Sequence, residues 1–315
     1  MNKKSELSTS INDYSGFSHV LDSLNVTAQL PFQLIPDHWF RRAEPQEVQR
    51  IKDQLTAHPR ATWAYEYAIT ELDDGRREGS LMPSDQWRYY VISCSPSNSK
   101  LRDVEYAANL LKNDISLGYS FLALGVVYDK AQISTFFDDR SGYIEIPKSI
   151  TDEELGQITT NYNLITGLDK NRYPNVSRAV ADFHQTKAIT NRVTLKVLSY
   201  FSIIECLLTH PPRPDDRTDS VVRQITSKMC LLSKRFQREL QYDSFFPNFP
   251  EPEKVWKKLY LYRSLLAHGG DIDFQQKFST LVSTDNIRSF LVETIKLLIL
   301  YALKEPEFLA DLQKC

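Results

Sequence analysis

The chain has 315 residues, which is enough for two domains of ordinary size. Apolar residues make up 42% and charged residues 25%, and 38 Lys and Arg against 40 Asp and Glu leave a formal net charge of -2. These values exclude a collagen-like repeat, a low-complexity chain and a disordered chain of one charge sign. The composition is typical of a soluble globular protein.

The cysteine content and the hydropathy of the chain indicate the cellular compartment in which the protein is expected. The four cysteines, at 94, 206, 230 and 315, form no CxxC pair and have no spacing typical of a metal site. Such use is typical of a reducing compartment. The most apolar segment, 297–303, is short, whereas a membrane-spanning helix needs about 20 apolar residues. We therefore expect a cytoplasmic protein that makes no use of a membrane and holds no metal.

The predicted elements of the N-terminal half are short and of mixed type. Residues 1–30 begin with a polar run rich in Ser and Asn, and we expect them to be loosely ordered. Aromatic and β-branched runs predict strands, and helical spacing predicts helices. The predicted strands are 62–70, 87–93, 119–128 and 142–147, and the predicted helices are 45–56 and 101–115. Thr151 followed by Glu154 predicts a further helix start. Residues 1–165 are therefore predicted to form a mixed α/β domain.

The C-terminal half, residues 170–315, has apolar residues at a period of 3.6, which is typical of helices. Pro-rich loops separate several of the periodic segments. The predicted helices are 176–209, 218–240, 251–268 and 286–303, with a short helix at 305–313. We therefore predict an α+β protein, in which a mixed α/β domain precedes an all-α bundle.

The near-zero net charge conceals a division between the two halves. Residues 1–170 carry a net charge of -7 and residues 171–315 carry +5, and the window 172–268 alone reaches +7. Five cations crowd the second predicted helix of the bundle: Arg223, Lys228, Lys234, Arg235 and Arg238. They are candidates for RNA binding, because cations clustered on one helix can form a phosphate-binding surface. A solvated helix face is the alternative interpretation.

The end of the predicted helix 251–268 carries the residues best suited to chemistry. Pro252 suits the first turn of a helix, and Gly269 can adopt the left-handed conformation that ends one. Arg263 then lies about one turn from the C-terminus, and His268 lies at the last position or the cap. Because five residues turn a regular helix by about 140°, the two side chains cannot share one face. They can flank a cleft, or meet their counterparts from a second copy of the helix across a two-fold axis.

These residues resemble a known family. The spacing RxxxxH at the end of a bundle helix is similar to the signature of HEPN domains, and RSLLAHG after LYLY resembles the ApeA-like branch. Upstream, SIIECLLTH resembles the helix of that branch that ends in an acidic residue followed by two Leu. The resemblance covers about 170–303. It implies a metal-independent endoribonuclease without a cofactor, whose composite site forms in a homodimer or a higher even oligomer.

The resemblance also implies a role for each site residue. His268 is the general base or acid, since an imidazole titrates near neutral pH, and Arg263 presents a fixed fork of donors to phosphate oxygens. The 2′-OH of RNA is the nucleophile, so the products are a 2′,3′-cyclic phosphate and a 5′-hydroxyl. Ser264, Glu205 and Tyr262 are the supporting candidates. Ser264 can orient the His268 ring or contact a phosphate, and Glu205, placed among apolar neighbours, needs a partner such as Arg263.

Two positions depart from the family pattern. Many HEPN motifs carry Asn, Asp or His where this chain has Ser264, which leaves the role of that serine open. Some HEPN toxins carry a Tyr, modified by an antitoxin, where this chain has Gly270, so that mode of control has no support here.

Two other interpretations of the motif stay open. His268 can simply cap the helix, because a cation suits the negative end of the helix dipole, with Arg263 as an ion-pair partner of Glu205. The domain can also be a non-catalytic HEPN adaptor that dimerises or binds a partner protein or nucleic acid.

The resemblance further implies a biological setting, which is bacterial antiphage defence or a toxin-like abortive response. In that setting the N-terminal domain senses a trigger or regulatory partner, or restrains the nuclease. The chain has neither GxxxxGK[ST] nor GxGxxG, which excludes a P-loop nucleoside triphosphatase.

Overall fold

The chain forms two compact units, Met1–Asn163 and Leu164–Cys315. The computed structural model describes residues 16–58, 61–94, 100–122, 127–128, 130–139, 146–212, 220–248 and 251–315. The first unit contains the strands and the second is helical, so the predicted α+β class is confirmed. The boundary falls within the helix Asp152–Gly167, close to the junction expected from the sequence.

The N-terminal unit is built on an antiparallel sheet. Its strands are β1 (Gly16–Val20), β2 (Leu24–Val26), β3 (Phe32–Ile35), β4 (His38–Arg42), β5 (Tyr67–Glu71), β6 (Arg77–Leu81), β7 (Tyr90–Cys94), β8 (Leu117–Phe121), β9 (Val127–Tyr128) and β10 (Lys148–Ile150). Six of them pair in the order β3-β4-β7-β1-β8-β9, each with an antiparallel neighbour. Separately, β2 pairs with β10 in parallel, and β5 and β6 form a hairpin.

Short helices connect these strands. They are α1 (Pro45–Gln54), α2 (Trp63–Glu66), α3 (Leu101–Asn109), α4 (Gln132–Asp138) and α5 (Asp152–Gly167). The predicted helix at 45–56 is confirmed. The predicted start of α5 is confirmed as well, because the Thr151 amide donates to the Glu154 carboxylate and the Glu154 amide donates to Thr151 Oγ1.

A buried apolar cluster joins the sheet to α1 and α4. It includes Phe17, Val91 and Phe121 from the central strands, Ile51 from α1 and Phe137 from α4. Gly118 in β8 permits close packing here, since a Cβ at this position would lie 2.5 Å from Leu21 Cδ2. The strands most deeply buried, β1, β7 and β8, are therefore the ones that hold the unit together.

Several sequence predictions for this unit are wrong. Both β1 and β2 lie within residues 1–30, for which the sequence predicts loose order. β1 is a central strand because β7 and β8 satisfy its backbone groups from both sides, and this long-range pairing is not visible in local composition. The segment 62–70 begins as α2 before it becomes β5, and α3 ends at Asn109 rather than 115. The segment 119–128 holds parts of two strands, and most of 142–147 lies outside the described residues.

The C-terminal unit is an all-helical bundle in its described part. Its helices are α6 (Pro174–Gln185), α7 (Thr194–Leu208), α8 (Val221–Leu232), α9 (Tyr242–Phe245), α10 (Pro252–Ala267), α11 (Thr284–Lys304) and α12 (Pro306–Lys314). The predicted helices at 251–268, 286–303 and 305–313 are confirmed within two residues.

The other two predicted helices of the bundle are too long. The segment 176–209 is divided into α6 and α7 by a 3-10 turn at Thr186–Ala188 and by Ile189 in an extended conformation. The Thr186 hydroxyl donates to the Phe183 carbonyl, and such local bonds from Thr and Asn side chains compete with helix continuation. The segment 218–240 ends as a helix at Leu232, where the Ser233 hydroxyl donates to the Cys230 carbonyl.

Helix α10 packs against α7 and α8 and bears buried aromatic and aliphatic residues along one side. Val255, Leu259 and Tyr262 are buried. Trp256 is buried as well, and its indole N–H donates to the Tyr242 hydroxyl at 3.0 Å. This packing fixes the helix that carries the candidate site. Among the described helices, none has both the length and the hydropathy that crossing a membrane requires.

A buried histidine lies in the core of the N-terminal unit. The His19 ring packs against Tyr65 and Tyr89, with ring centroids 5.2 and 6.4 Å away, and neither of its nitrogens has a hydrogen-bond partner among the described residues. Burial lowers the pKa of His19 from 6.5 to about 3, although the charge of Asp22 opposes this shift. The ring is therefore neutral in the folded protein at neutral pH.

This histidine makes the N-terminal unit sensitive to acid. The unfolded chain takes up the proton near pH 6.5 and the folded chain only near pH 3, so the free energy of unfolding falls as pH drops through this window, by about 1.4 kcal/mol per pH unit. His19→Leu removes the titrating group, and we expect a shallower pH dependence. The pH dependence is measured by urea unfolding at several pH values. Hydrogen exchange of the β1 and β7 amides reports the unfolding of this unit.

The control for this experiment is Ser264→Ala, which changes an exposed residue of the other unit and removes no titratable group. It should keep the pH dependence of the wild type. Equal pH dependence of His19→Leu and the wild type would contradict the assignment.

Candidate functional site

The candidate site lies at the C-terminal end of α10, where local signals stop the helix. His268 is the C-cap, and Gly269 follows in the left-handed conformation with φ +69°. The Gly270 amide donates to the Leu265 carbonyl at 2.8 Å, which is the six-residue bond of a Schellman motif. The helix therefore ends where the sequence predicts, and the exposed His268 side chain stands at its final turn.

Arg263 is held on α10 by a carboxylate from α7. Its Nε lies 3.4 Å from Glu205 Oε1, and its Nη2 donates to Glu205 Oε2 at 3.4 Å. The side chain of Arg263 is 37% exposed and that of Glu205 is 22% exposed. The predicted pairing of these two residues is therefore present, and the third guanidinium nitrogen, Nη1, takes no part in it.

Tyr260 completes this arrangement from one turn earlier on α10. Its hydroxyl donates to Glu205 Oε1 at 3.3 Å. Burial, followed by the nearby Glu205 carboxylate, raises the pKa of Tyr260 well above its ordinary value. The phenol therefore stays protonated and acts as a fixed donor, so Glu205 is positioned from two sides.

Ser264 and His268 share one face of α10, because they are four residues apart and both are exposed. The exposed Leu261 lies on the same face, one turn before Ser264. Arg263 points away from this face by its helical position, as the five-residue spacing to His268 requires. One chain thus presents an Arg, a Ser and a His at one helix end.

Tyr262 does not join these residues. It is buried, its ring packs against Phe274 and Phe278, and its hydroxyl lies 3.4 Å from Thr284 Oγ1. The segment after His268 thereby folds back onto α10. Tyr262 therefore belongs to the buried core that supports the end of α10.

The five basic residues in and after α8 are not all on the surface. Arg223, Lys234 and Arg235 are exposed, the Arg235 guanidinium lies 4.6 Å from the centroid of the Phe308 ring, and Arg238 is ion-paired with Glu293. Lys228 is only 5% exposed. The prediction that Lys228 belongs to an RNA-facing surface is wrong, because a charge count along the sequence does not show which way a side chain points.

Lys228 instead holds the C-terminal end of α7. Its Nζ donates to the Leu208 carbonyl at 2.8 Å and to the Gln313 carbonyl at 3.2 Å. The Gln313 amide donates in turn to the carbonyls of Cys206 and Thr209. The free carbonyls at a helix C-terminus need such donors, and a cation is favoured there by the helix dipole. Glu205 lies in this same last turn of α7.

Two residues of this arrangement are not predicted from the sequence. Tyr260 lies three residues before Arg263 and so faces the same neighbour, a relation that helical spacing could have revealed. Gln313 is about a hundred residues from the carbonyls that it caps, and no local signal points to it.

The burial of Lys228 gives a testable difference between two cations of α8. Lys228→Met leaves the Leu208 carbonyl buried without its donor, so we expect a loss of about 1–3 kcal/mol in the free energy of unfolding. Arg223→Met on the exposed side of the same helix is the matched control and should change stability by less than about 0.5 kcal/mol. Chemical denaturation measures both variants. Equal effects of the two substitutions would contradict a structural role for Lys228.

The site is defined by its geometry: a guanidinium fixed between α7 and α10, and an exposed imidazole at the end of α10. Comparison of the chain with protein-family models, with curated proteins and with solved structures finds no match.

Proposed function

We propose that the C-terminal unit is a metal-independent endoribonuclease of HEPN type, completed by a second copy of the chain. The observation that carries this proposal is the fixed Arg263 guanidinium together with the exposed His268 at the end of the same helix. A fixed cation and a group that exchanges protons near neutral pH are what cleavage of RNA through its own 2′-OH requires.

The proposed reaction is a transesterification. The 2′-OH attacks the adjacent phosphorus while a neutral His268 imidazole accepts its proton. The bond from phosphorus to the 5′-oxygen breaks, and a protonated imidazole gives that oxygen a proton. The products are a 2′,3′-cyclic phosphate and a 5′-hydroxyl, and no water or cofactor is consumed in this step.

Arg263 stabilises the charge that develops on the phosphate oxygens. Its contacts with Glu205 use Nε and Nη2, which leaves Nη1 for the substrate. Because Tyr260 also donates to Glu205, the carboxylate is held in place before substrate arrives. A guanidinium positioned in advance costs little reorganisation when charge develops in the transition state.

The need for two imidazoles supports the second copy. The chain has six histidines, all of them described, and His268 is the exposed one. One imidazole cannot accept a proton and donate another in the same concerted step, so two copies of α10 supply the base and the acid. The exposed Leu261 on the Ser264 and His268 face gives apolar surface for that contact.

The wider setting belongs to the same proposal. The protein acts in the cytoplasm, in antiphage defence or a toxin-like response, and the N-terminal unit senses a trigger or regulatory partner. The family resemblance supports this setting, together with cysteines that lie outside any CxxC pair.

RNA cleavage in the presence of EDTA tests the proposal. The wild type should cleave, and Arg263→Ala and His268→Ala should each lower the rate by about a hundredfold to ten-thousandfold. Lys254→Ala, on the first turn of α10, is the control and should retain activity. The product ends should be a 2′,3′-cyclic phosphate and a 5′-hydroxyl, and light scattering should give the mass of an even oligomer.

Three outcomes would overturn the nuclease. Activity that EDTA abolishes, or that survives both substitutions, excludes this mechanism. A stable dimer that cleaves no RNA, also in the presence of phage-infected cell extract as a source of trigger, identifies a non-catalytic adaptor instead.

A further inference from the structure

A surface cavity lies between α6 and α7, and none of the candidate site residues lines it. Its volume is about 180 Å³. Residues from α6, the following turn and the middle of α7 line it: Asp182, Gln185, Ile189, Ser199, Ser202 and Ile203. A cavity of about 150 Å³ suffices to hold a benzene molecule, so this one is large enough for a single planar ring system.

Most of the side chains that line the cavity are polar, and Ile189 and Ile203 are its apolar part. The Gln185 amide and the Ser202 hydroxyl make no hydrogen bond with any part of the chain that is described. Two exposed polar groups without partners among the described residues therefore line the cavity, and such groups can fix the orientation of a polar ligand.

Asp182 supplies the one charge of the lining. Its Oδ2 lies 3.3 Å from Arg178 Nε, one turn earlier on α6. Both side chains are well exposed, so the pair is weak and leaves the Asp182 carboxylate accessible to a ligand. The cavity thus presents a carboxylate acceptor next to an amide that donates and accepts.

The cavity adjoins the candidate site through α7. Ser202 lines the cavity and lies three residues before Glu205, which holds Arg263. Side chains three residues apart on a helix have Cβ atoms about 5–6 Å apart. Neighbouring turns of α7 therefore carry the lining of the cavity and the carboxylate that holds Arg263.

We propose that the cavity binds a guanine base of single-stranded RNA next to the scissile phosphate. This assignment rests on the proposed ribonuclease function and names its base preference. Guanine has two adjacent donors, N1–H and the N2 amino group, which both point toward one carboxylate such as that of Asp182. Its O6 acceptor lies beside them, where the Gln185 amide can donate.

The other bases fit this rim less well. Adenine offers a ring acceptor where guanine has N1–H, so it faces the Asp182 carboxylate with a lone pair. Uracil has acceptors on both sides of its single N–H, and cytosine offers an amino group beside two acceptors. Each of these bases either places an acceptor against the Asp182 carboxylate or offers it fewer donors than guanine does. Both mismatches cost binding free energy.

Binding of nucleoside 3′-monophosphates to the full-length protein tests the proposal. We expect guanosine 3′-monophosphate to bind more tightly than the adenosine, cytidine and uridine compounds by tenfold or more in calorimetry. Asp182→Asn replaces an acceptor by a donor and should lower the guanosine affinity by about tenfold to a hundredfold. Asp311→Asn is the matched control, because Asp311 is also an exposed helix carboxylate paired with a cation, and it should change nothing.

These measurements separate the cavity from the reaction. Binding is measured in the Arg263→Ala and His268→Ala double variant, so the result does not depend on cleavage. Equal binding of the four nucleotides, or a guanosine preference that survives Asp182→Asn, would overturn the base site even if RNA is cleaved. Guanosine preference without cleavage of any RNA keeps the cavity as a guanine site and overturns the nuclease.

Discussion

The contact between Glu205 and Arg263 is the interaction on which the C-terminal site depends. It joins α7 to α10 and sets the direction of a guanidinium that four rotatable bonds would otherwise leave free. Tyr260 adds a donor that keeps its proton, so the carboxylate has two partners on one helix. Breaking the contact would leave a half-buried carboxylate without its cation, which is costly, and this cost keeps the two helices in register.

The position of Glu205 depends in turn on how α7 ends. Its last carbonyls have no partners within the helix, and they receive donors from α8 through Lys228 and from α12 through Gln313. Two further helices, α8 and α12, therefore converge on the turn of α7 that carries Glu205. The turn of α7 before it lines the cavity through Ser202 and Ile203.

Local signals make part of this arrangement predictable. Pro252 at the start and Gly269 at the end define α10 to within one residue, and the apolar neighbours of Glu205 in the sequence indicate that it pairs with Arg263. The predictions that are wrong concern contacts between residues that are far apart in the sequence. Lys228 has a charged side chain on a basic helix, yet its burial is decided by carbonyls of α7. β1 follows a polar segment, yet two long-range partners make it a central strand.

The burial of Lys228 also has a consequence for chemical modification. Its amine is closed to an acylating reagent while α7, α8 and α12 remain assembled, whereas the exposed Lys254 reacts at all times. The rate of Lys228 acetylation relative to Lys254 therefore follows the opening of this helix junction. Mass spectrometry of the peptide that contains Lys228 then reports how often the contacts of α8 and α12 with the last turn of α7 open.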